Sequence, residues 1–217
     1  MQDFNSLFDV WASSYDETVY GDDNEYSEVF LGYDKILDYI CQGVKDREGT
    51  VLEIGVGTGN LTKLLHEHGL NVIGIEPSQE MRKIAQSKLP SVKILDGHFL
   101  SIPVEDKVDA IVTSYAFHHL TLDEKREALR YLDGLLHKNG KIIIADTMFE
   151  SKAYKENLLE YVKACGTLNL LKDLNSEYYE YLDDLRQLLG EMNYTYETVK
   201  MNKYVWIISA IKGGLFI

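Results

Sequence analysis

The chain is poor in cysteine, in proline, in basic residues and in long apolar runs. Its 217 residues include two cysteines, Cys41 and Cys165. Two thiols make no disulfide framework, which suits a reducing compartment and predicts a cytoplasmic protein. Prolines number three, and no stretch dense in Pro, Gly and Ser offers a linker at which to draw a domain boundary. Lys and Arg number 22 against 35 Asp and Glu, a formal charge of −13. Nucleic-acid binding depends on cations that displace counterions from phosphates. DNA or RNA is therefore a poor partner for this surface, and an anionic membrane is an equally poor one. The longest apolar stretch, residues 205–211, is too short to cross a bilayer and contains Ser209; it reads as a buried strand. The opening Met1-Gln2-Asp3-Phe4-Asn5 has neither the basic nor the apolar region of a signal peptide.

What is present is an apolar share of 45%, enough for one sizeable core. Phe4, Leu7, Phe8 and Trp11 recur at helical spacing and predict a short helix packed on the body; a second helical pattern runs over 28–44. Strands and helices then alternate. Strands are predicted at 50–54, 71–75, 92–95, 108–114 and 141–145. Helices are predicted over 61–68 and 79–87, and another follows the capping box Thr121-Leu122-Asp123-Glu124. Asn139-Gly140 reads as the stop before the fifth strand. Such alternation builds βαβ units on a parallel sheet covered on both faces. Residues 151–171 and 175–192 read as helices, and 194–200 and 204–211 as strands. The turn near Asn202-Lys203 is short enough to permit only an antiparallel pair.

In an open α/β sheet, ligands sit beyond the carboxyl ends of the strands. The first strand leads into Glu53-Ile54-Gly55-Val56-Gly57-Thr58-Gly59-Asn60. Glycines there allow a tight turn and a close approach of ligand to backbone amides, and the helix that follows favours an anionic group. The dinucleotide fingerprint is G-x-G-x-x-G; here Asn60 stands where its third glycine belongs, which counts against a nicotinamide cofactor. The second strand leads to Glu76-Pro77-Ser78. A carboxylate at that place accepts two hydrogen bonds from ribose hydroxyls; in isolation it would be a solvated strand-end Glu. Ser78 suits a helix N-cap, and Met81 one turn on either packs against a flat ring or fills core. The third and fourth strands lead to Asp96-Gly97-His98-Phe99 and to Ser114-Tyr115-Ala116-Phe117-His118-His119-Leu120. Both loops are expected to flank the ligand.

Taken together, Glu-x-Gly-x-Gly-x-Gly, Glu-Pro-Ser-x-x-Met, Val-Asp-x-Ile-Val and Phe-His-His-Leu resemble the class I S-adenosylmethionine-dependent methyltransferases. More narrowly, the chain is similar to the bacterial YrrT-like methyltransferases. The match runs from about Trp11 to Asp146, and the late hairpin agrees with that family's sheet. The opening Phe8-Asp9-Val10-Trp11-Ala12-Ser13-Ser14-Tyr15-Asp16 is similar to the start of small-molecule members. The resemblance implies an α/β fold: a Rossmann-like three-layer sandwich whose seven-stranded, mostly parallel sheet ends in an antiparallel hairpin. It implies one methyltransferase domain over 1–217. Residues 1–45 would form a helical cover and 46–150 the cofactor-binding core. Residues 151–192 would form a helical cover on the acceptor side, and 193–217 the hairpin.

The same resemblance implies S-adenosylmethionine as cofactor, S-adenosylhomocysteine as product and in-line transfer to a small-molecule acceptor. Gly55 and its neighbours Glu53, Val56, Gly57, Thr58, Gly59 and Asn60 would contact the methionine end. Glu76, with Pro77, would hold the ribose, beside Met81. The family has an acid after the glycine matched by Gly97, and that acid binds the adenine amino group. Here the position is His98, whose neutral ring accepts through one nitrogen; the backbone at Phe99 and the carboxylate of Asp96 are the alternatives. Ser114 and Tyr115 would line the site, and Tyr15 would close over the cofactor or merely pack the lid.

Methyl transfer from a sulfonium needs alignment and exclusion of water more than covalent help. A general base is required only for an acceptor protonated at working pH. His118 and His119 are the candidates, and capping or packing is their bland alternative. No metal is expected, because no third ligand stands at a telling spacing from the pair. The tyrosine-rich span 154–181 reads as acceptor cover or as a packing or dimer surface. The acidic run Glu177, Glu180, Asp183, Asp184 reads as a solvated face. Two rival functions are a non-catalytic S-adenosylmethionine-binding protein and a nicotinamide-dependent oxidoreductase. The motifs name neither the acceptor nor the oligomeric state.

Overall fold

The computed structural model describes residue 9, residues 12–21 and residues 25–213. Seven strands form one sheet: β1 Thr50–Ile54, β2 Asn71–Ile75, β3 Lys93–Leu95, β4 Val108–Ser114, β5 Leu136–Thr147, β6 Tyr194–Lys200 and β7 Val205–Lys212. Their order is β3-β2-β1-β4-β5-β7-β6. The first five strands pair parallel, and β7 runs antiparallel to both β5 and β6. The α/β expectation and the terminal hairpin are both met. At that hairpin the Asn202 Oδ1 accepts from the backbone N–H groups of Tyr204 and Val205, a local turn that reverses the chain.

The helices are α1 Tyr15–Tyr20, α2 Tyr33–Val44, α3 Asn60–Glu67, α4 Gln79–Lys88, α5 Leu122–Leu135, α6 Lys152–Cys165, α7 Leu168–Ser176 and α8 Leu182–Glu191. Side chains alternate across a strand, so each central strand feeds two cores. Val51, Val112, Ile143 and Ala145 pack on one side with Ile36 and Ile40 of α2 and Leu61 and Leu65 of α3. Leu52, Ile111, Ile142 and Ile144 pack on the other with Leu129 and Leu132 of α5 and Leu185 and Leu189 of α8. Two covered faces explain why the run from Ile142 to Ala145 is apolar without alternation. The capping box is formed: Thr121 Oγ1 accepts from Glu124 N, and the Glu124 carboxylate accepts from Thr121 N.

Four boundaries depart from the periodicity. The helix expected over 28–44 begins at Tyr33, because Gly32 takes φ +77° and turns the chain before it. The helix expected over 151–171 is cut at Gly166, whose φ of +75° ends α6 and whose N–H bonds to Lys163 O. The helix expected over 175–192 is interrupted after Ser176. Tyr178 N donates to His118 O, Phe149 N to Glu180 O and Leu182 N to Phe149 O. These bonds draw residues 177–181 along the carboxyl edge of the sheet, so tertiary pairing overrides helix propensity. The stop at Asn139-Gly140 lies within β5, as a bulge: Val108 pairs with Leu136 but Ala110 with Lys141, and Asn139 sits at φ +61°. The helical pattern of Phe4, Leu7, Phe8 and Trp11 lies outside the described residues. Cys41 is buried, Cys165 exposed, and both are free thiols. Among the described residues no helix is long and apolar enough to cross a membrane.

β1 lies between β2 and β4, and the chain leaves it toward β2 on one side while β4 leads away on the other. That reversal of strand order opens a crevice at the carboxyl ends of these strands.

Candidate functional site

The crevice is a cavity of about 540 Å³, walled by the loops that follow β1, β2, β3 and β4. After β1, Gly55, Gly57 and Gly59 all take positive φ, at +79°, +57° and +92°. At Gly55 a Cβ would stand 2.5 Å from the Ala116 Cβ, so only glycine fits; at Gly57 a Cβ would meet nothing within 4 Å. Gly57 thus faces open space on the side where a Cβ would stand. Val56, Thr58 and Asn60 line the cavity beside it. The N-terminal segment is fastened here: the Asp16 carboxylate accepts from Thr58 Oγ1 at 2.6 Å, Asn60 Nδ2 at 3.1 Å and Lys88 Nζ at 2.7 Å. The anchorage sets Tyr15 into the cavity wall.

After β2, Glu76 is 5% exposed and accepts from Gly57 N at 2.8 Å and Ser78 N at 2.9 Å. Burial raises its carboxyl above the ordinary range, and the two backbone bonds offset part of that rise. Ser78 caps α4, its Oγ accepting from Met81 N. Pro77 and Met81 complete this side of the wall. After β3, His98 Nδ1 accepts from Leu100 N at 3.3 Å. A neutral ring that accepts through Nδ1 carries its proton on Nε2, so His98 offers the cavity a donor where the sequence suggested an acceptor. Phe99 lines the cavity beside it. Asp96 is no substitute: it pairs with Arg82 at 3.0 Å and its side chain is 75% exposed. After β4, Ser114 and Tyr115 line the cavity. Tyr115 is held at φ +53° by its N–H bond to Ala145 O, and strain of that kind gathers at functional sites. Its ring lies 5.7 Å from that of Tyr33, making an aromatic wall.

Residues 52–144 match the family described as "Methyltransferase domain". An uncharacterized methyltransferase of Alkaliphilus oremlandii is 58% identical over 99% of this chain and 100% of its own length. The chain belongs to this methyltransferase family. The uncharacterized methyltransferase YrrT of Halobacillus halophilus is 45% identical, over 97% of this chain and 98% of its own. Among solved structures, the magnesium protoporphyrin IX methyltransferase ChlM from Synechocystis PCC 6803 with bound SAH superposes with TM-score 0.72 at 17% identity. That alignment covers 97% of this chain and 100% of ChlM. A DhpI-SAM-HEP complex gives TM-score 0.71 at 16% identity, over 94% of each chain. At those identities the likeness is one of fold, the Rossmann-like sandwich.

In this methyltransferase three of the expected positions stand behind the wall. Glu53 is 1% exposed and accepts from Thr62 Oγ1 at 2.6 Å, so it braces α3 against β1. Burial pushes its carboxyl up to about 8. Gly59 packs on α4, where a Cβ would lie 3.2 Å from that of Ala85, and at Gly97 a Cβ would lie 2.7 Å from Ser101 O. Both glycines allow close packing of backbone rather than contact with the cavity.

The methyltransferase cavity is also lined by His119, Leu120, Thr121, Glu124 and Tyr178. Of the paired histidines only His119 reaches it. Burial is the main cause that drives the His119 ring down to about 4, against the pull of Glu177. His118 turns inward, its Nδ1 2.7 Å from Asp146 Oδ1 and its backbone N 2.9 Å from Asp146 Oδ2. Burial alone would raise the Asp146 carboxyl; the His118 ring and the N–H groups of Thr147 and His118 outweigh it and hold it below its ordinary value. The acidic run does not form one solvated face. Glu177 Oε2 lies 3.3 Å from His119 Nδ1, Glu180 pairs with buried Lys125, and Asp184 caps α8 through Tyr181 N; only Asp183, 80% exposed beside Arg186, is solvated.

Sequence reasoning missed Tyr33, Thr121, Glu124 and Tyr178 as wall residues. Thr121 and Glu124 were visible as a helix cap, and Tyr33 lay unremarked within the helical pattern over 28–44. Tyr178 fell within the tyrosine-rich span 154–181 that reads as acceptor cover, but its place in the wall depends on the extended segment 177–181. The rest of the tyrosine-rich span packs elsewhere, with Leu158, Val162, Leu170 and Leu174 of α6 and α7 in the core shared with α2. Nor did spacing along the chain reveal that Glu177 would join the His118–His119 pair; the three present ligand atoms within 4.8 Å of one another.

Proposed function

We propose that this methyltransferase moves the methyl group of S-adenosylmethionine to a small-molecule acceptor by in-line displacement, releasing S-adenosylhomocysteine. One observation carries the reading. The glycine loop, the Glu76 carboxylate and the imidazole of His119 line the same cavity. The wall residues fit the donor. Gly57 leaves room against its backbone for the methionine end. Glu76 keeps lone pairs beyond its two backbone bonds for the ribose hydroxyls. His98 presents Nε2–H to a ring nitrogen of adenine, in place of the family's acid to the amino group. Tyr15, Tyr33 and Tyr115 supply aromatic faces, which attract a sulfonium cation. On this reading residues 46–150 hold the donor, while α1, α2 and the segment around Tyr178 enclose the acceptor.

The wall also bears on the acceptor. Among the described residues it includes the carboxylates Glu76 and Glu124 and neither Lys nor Arg. An acceptor with its own carboxylate or phosphate would meet no counter-ion there, so the site suits a neutral or cationic molecule. His119 is the polar group that the acceptor's nucleophilic atom meets, and His118, fixed by Asp146, is a positioning residue behind it. The chain's contribution to rate is alignment and exclusion of water.

The test is incubation with methyl-labelled S-adenosylmethionine and fractionated pools of small metabolites. Labelled product in a neutral or cationic fraction, abolished by Glu76→Ala, is expected. Absence of product from every pool, with the donor still bound, would overturn transfer in favour of binding alone.

A further inference from the structure

We infer that His118, His119 and Glu177 form a binding site for a divalent first-row transition cation at the acceptor end of the cavity. One ring nitrogen of each histidine and one carboxylate oxygen lie within 4.8 Å of one another. Bonds from such a cation to nitrogen and oxygen are about 2.0–2.2 Å, which in a tetrahedral site sets ligand atoms about 3.3–3.6 Å apart. The His119 Nδ1 to Glu177 Oε2 separation is already 3.3 Å, so the contraction that remains concerns His118.

The donor set selects the ion. Two imidazoles with one carboxylate suit zinc, iron(II) or cobalt(II), whereas calcium and magnesium seek oxygen alone. Metal-bound histidines nearly always give their other ring N–H to a carboxylate, a backbone carbonyl or water. His118 has that arrangement, with Nδ1 2.7 Å from Asp146 Oδ1, which leaves the Nε2 lone pair for a ligand. Asp146 is itself pinned by backbone N–H groups of His118 and Thr147.

The ligands are also held in place before any ion arrives. His118 and His119 sit in a 3-10 turn, Phe117–His119, between β4 and the capped start of α5. The backbone bond from Tyr178 N to His118 O ties the Glu177 segment to that turn. Among the described residues, Glu177 and Asp146 take no bond from Lys or Arg. The nearest buried cation, Lys125, is committed to Glu180 and to the carbonyls of Leu120 and Tyr178. Three protein ligands leave positions open, as catalytic rather than structural sites do, and His119 belongs to the cavity wall. An open position would then face the acceptor. That last point rests on the methyl-transfer reading; metal binding itself does not.

The test is titration of the full chain, stripped with chelator, with Co²⁺ followed by its visible d–d bands and with Zn²⁺ followed by calorimetry. One equivalent is expected to bind. Asp146→Asn should weaken it about 10–100-fold through the lost brace on His118, and His119→Ala or Glu177→Gln should abolish the bands. Binding of S-adenosylhomocysteine by Glu177→Gln shows that the variant is folded. Failure to bind either ion, or binding that survives His119→Ala and Glu177→Gln combined, overturns the site. Metal binding without S-adenosylhomocysteine binding would overturn the donor reading and leave the metal site standing.

Discussion

Glu53 offers the sharpest test of how burial shapes this molecule. Its carboxyl lies under the glycine loop, 1% exposed, with one bond from Thr62 and with Glu76 as a second acid nearby. Burial is the first cause of its rise from 4.5 to about 8. The native state therefore keeps this proton while the unfolded chain releases it near 4.5. Stability contributed by the neutral acid is complete below that value and is lost as pH rises toward 8. The slope is about 1.36 kcal/mol per pH unit, or about 5 kcal/mol across the whole window as an upper bound. Glu53→Gln keeps an oxygen to accept from Thr62 and cannot ionise. Urea unfolding of wild type and variant, measured at steps between the two limits, should give free energies that diverge as pH rises, the variant gaining. An unpaired amide hydrogen would offset the curves by a constant without changing the divergence. Parallel curves across that window would refute the assignment of a neutral Glu53.

Two further substitutions probe the cavity. Glu76→Ala removes both acceptor oxygens from the ribose end and should cost about 2–4 kcal/mol of S-adenosylhomocysteine binding, about 30- to 1,000-fold in Kd by calorimetry. Gly55→Ala sets a Cβ 2.5 Å from that of Ala116 at φ +79°; it should cost about 1–3 kcal/mol of stability in urea unfolding and weaken the same ligand.

The parts of this protein that follow from local chemistry were legible in its sequence. Strands β1, β2 and β4 announced themselves as short β-rich runs, and the Thr121–Glu124 cap marked the start of α5. The glycine loop and Glu76 stood at strand ends, where a ligand must sit. What was not legible depends on distant pairing. Nothing near Glu177 says that backbone bonds from Tyr178 to His118 and from Leu182 to Phe149 will pull it out of a helix. That segment decides this part of the site, bringing Tyr178 into the wall and Glu177 to His119. Residue identity alone also did not show how Glu53 and His98 are engaged. The first turns toward Thr62, and the second spends its acceptor nitrogen on Leu100. Both outcomes follow from backbone geometry that spacing does not encode.

The central claim is that the cavity behind Gly55, Gly57 and Glu76 is built for a sulfonium nucleoside rather than a dinucleotide. Calorimetric titration of the full chain with S-adenosylhomocysteine and, separately, with NADH tests it most directly. Saturable binding of S-adenosylhomocysteine at one per chain, weakened by Glu76→Ala, with no heat from NADH, is predicted. Binding of NADH and not of S-adenosylhomocysteine would contradict it.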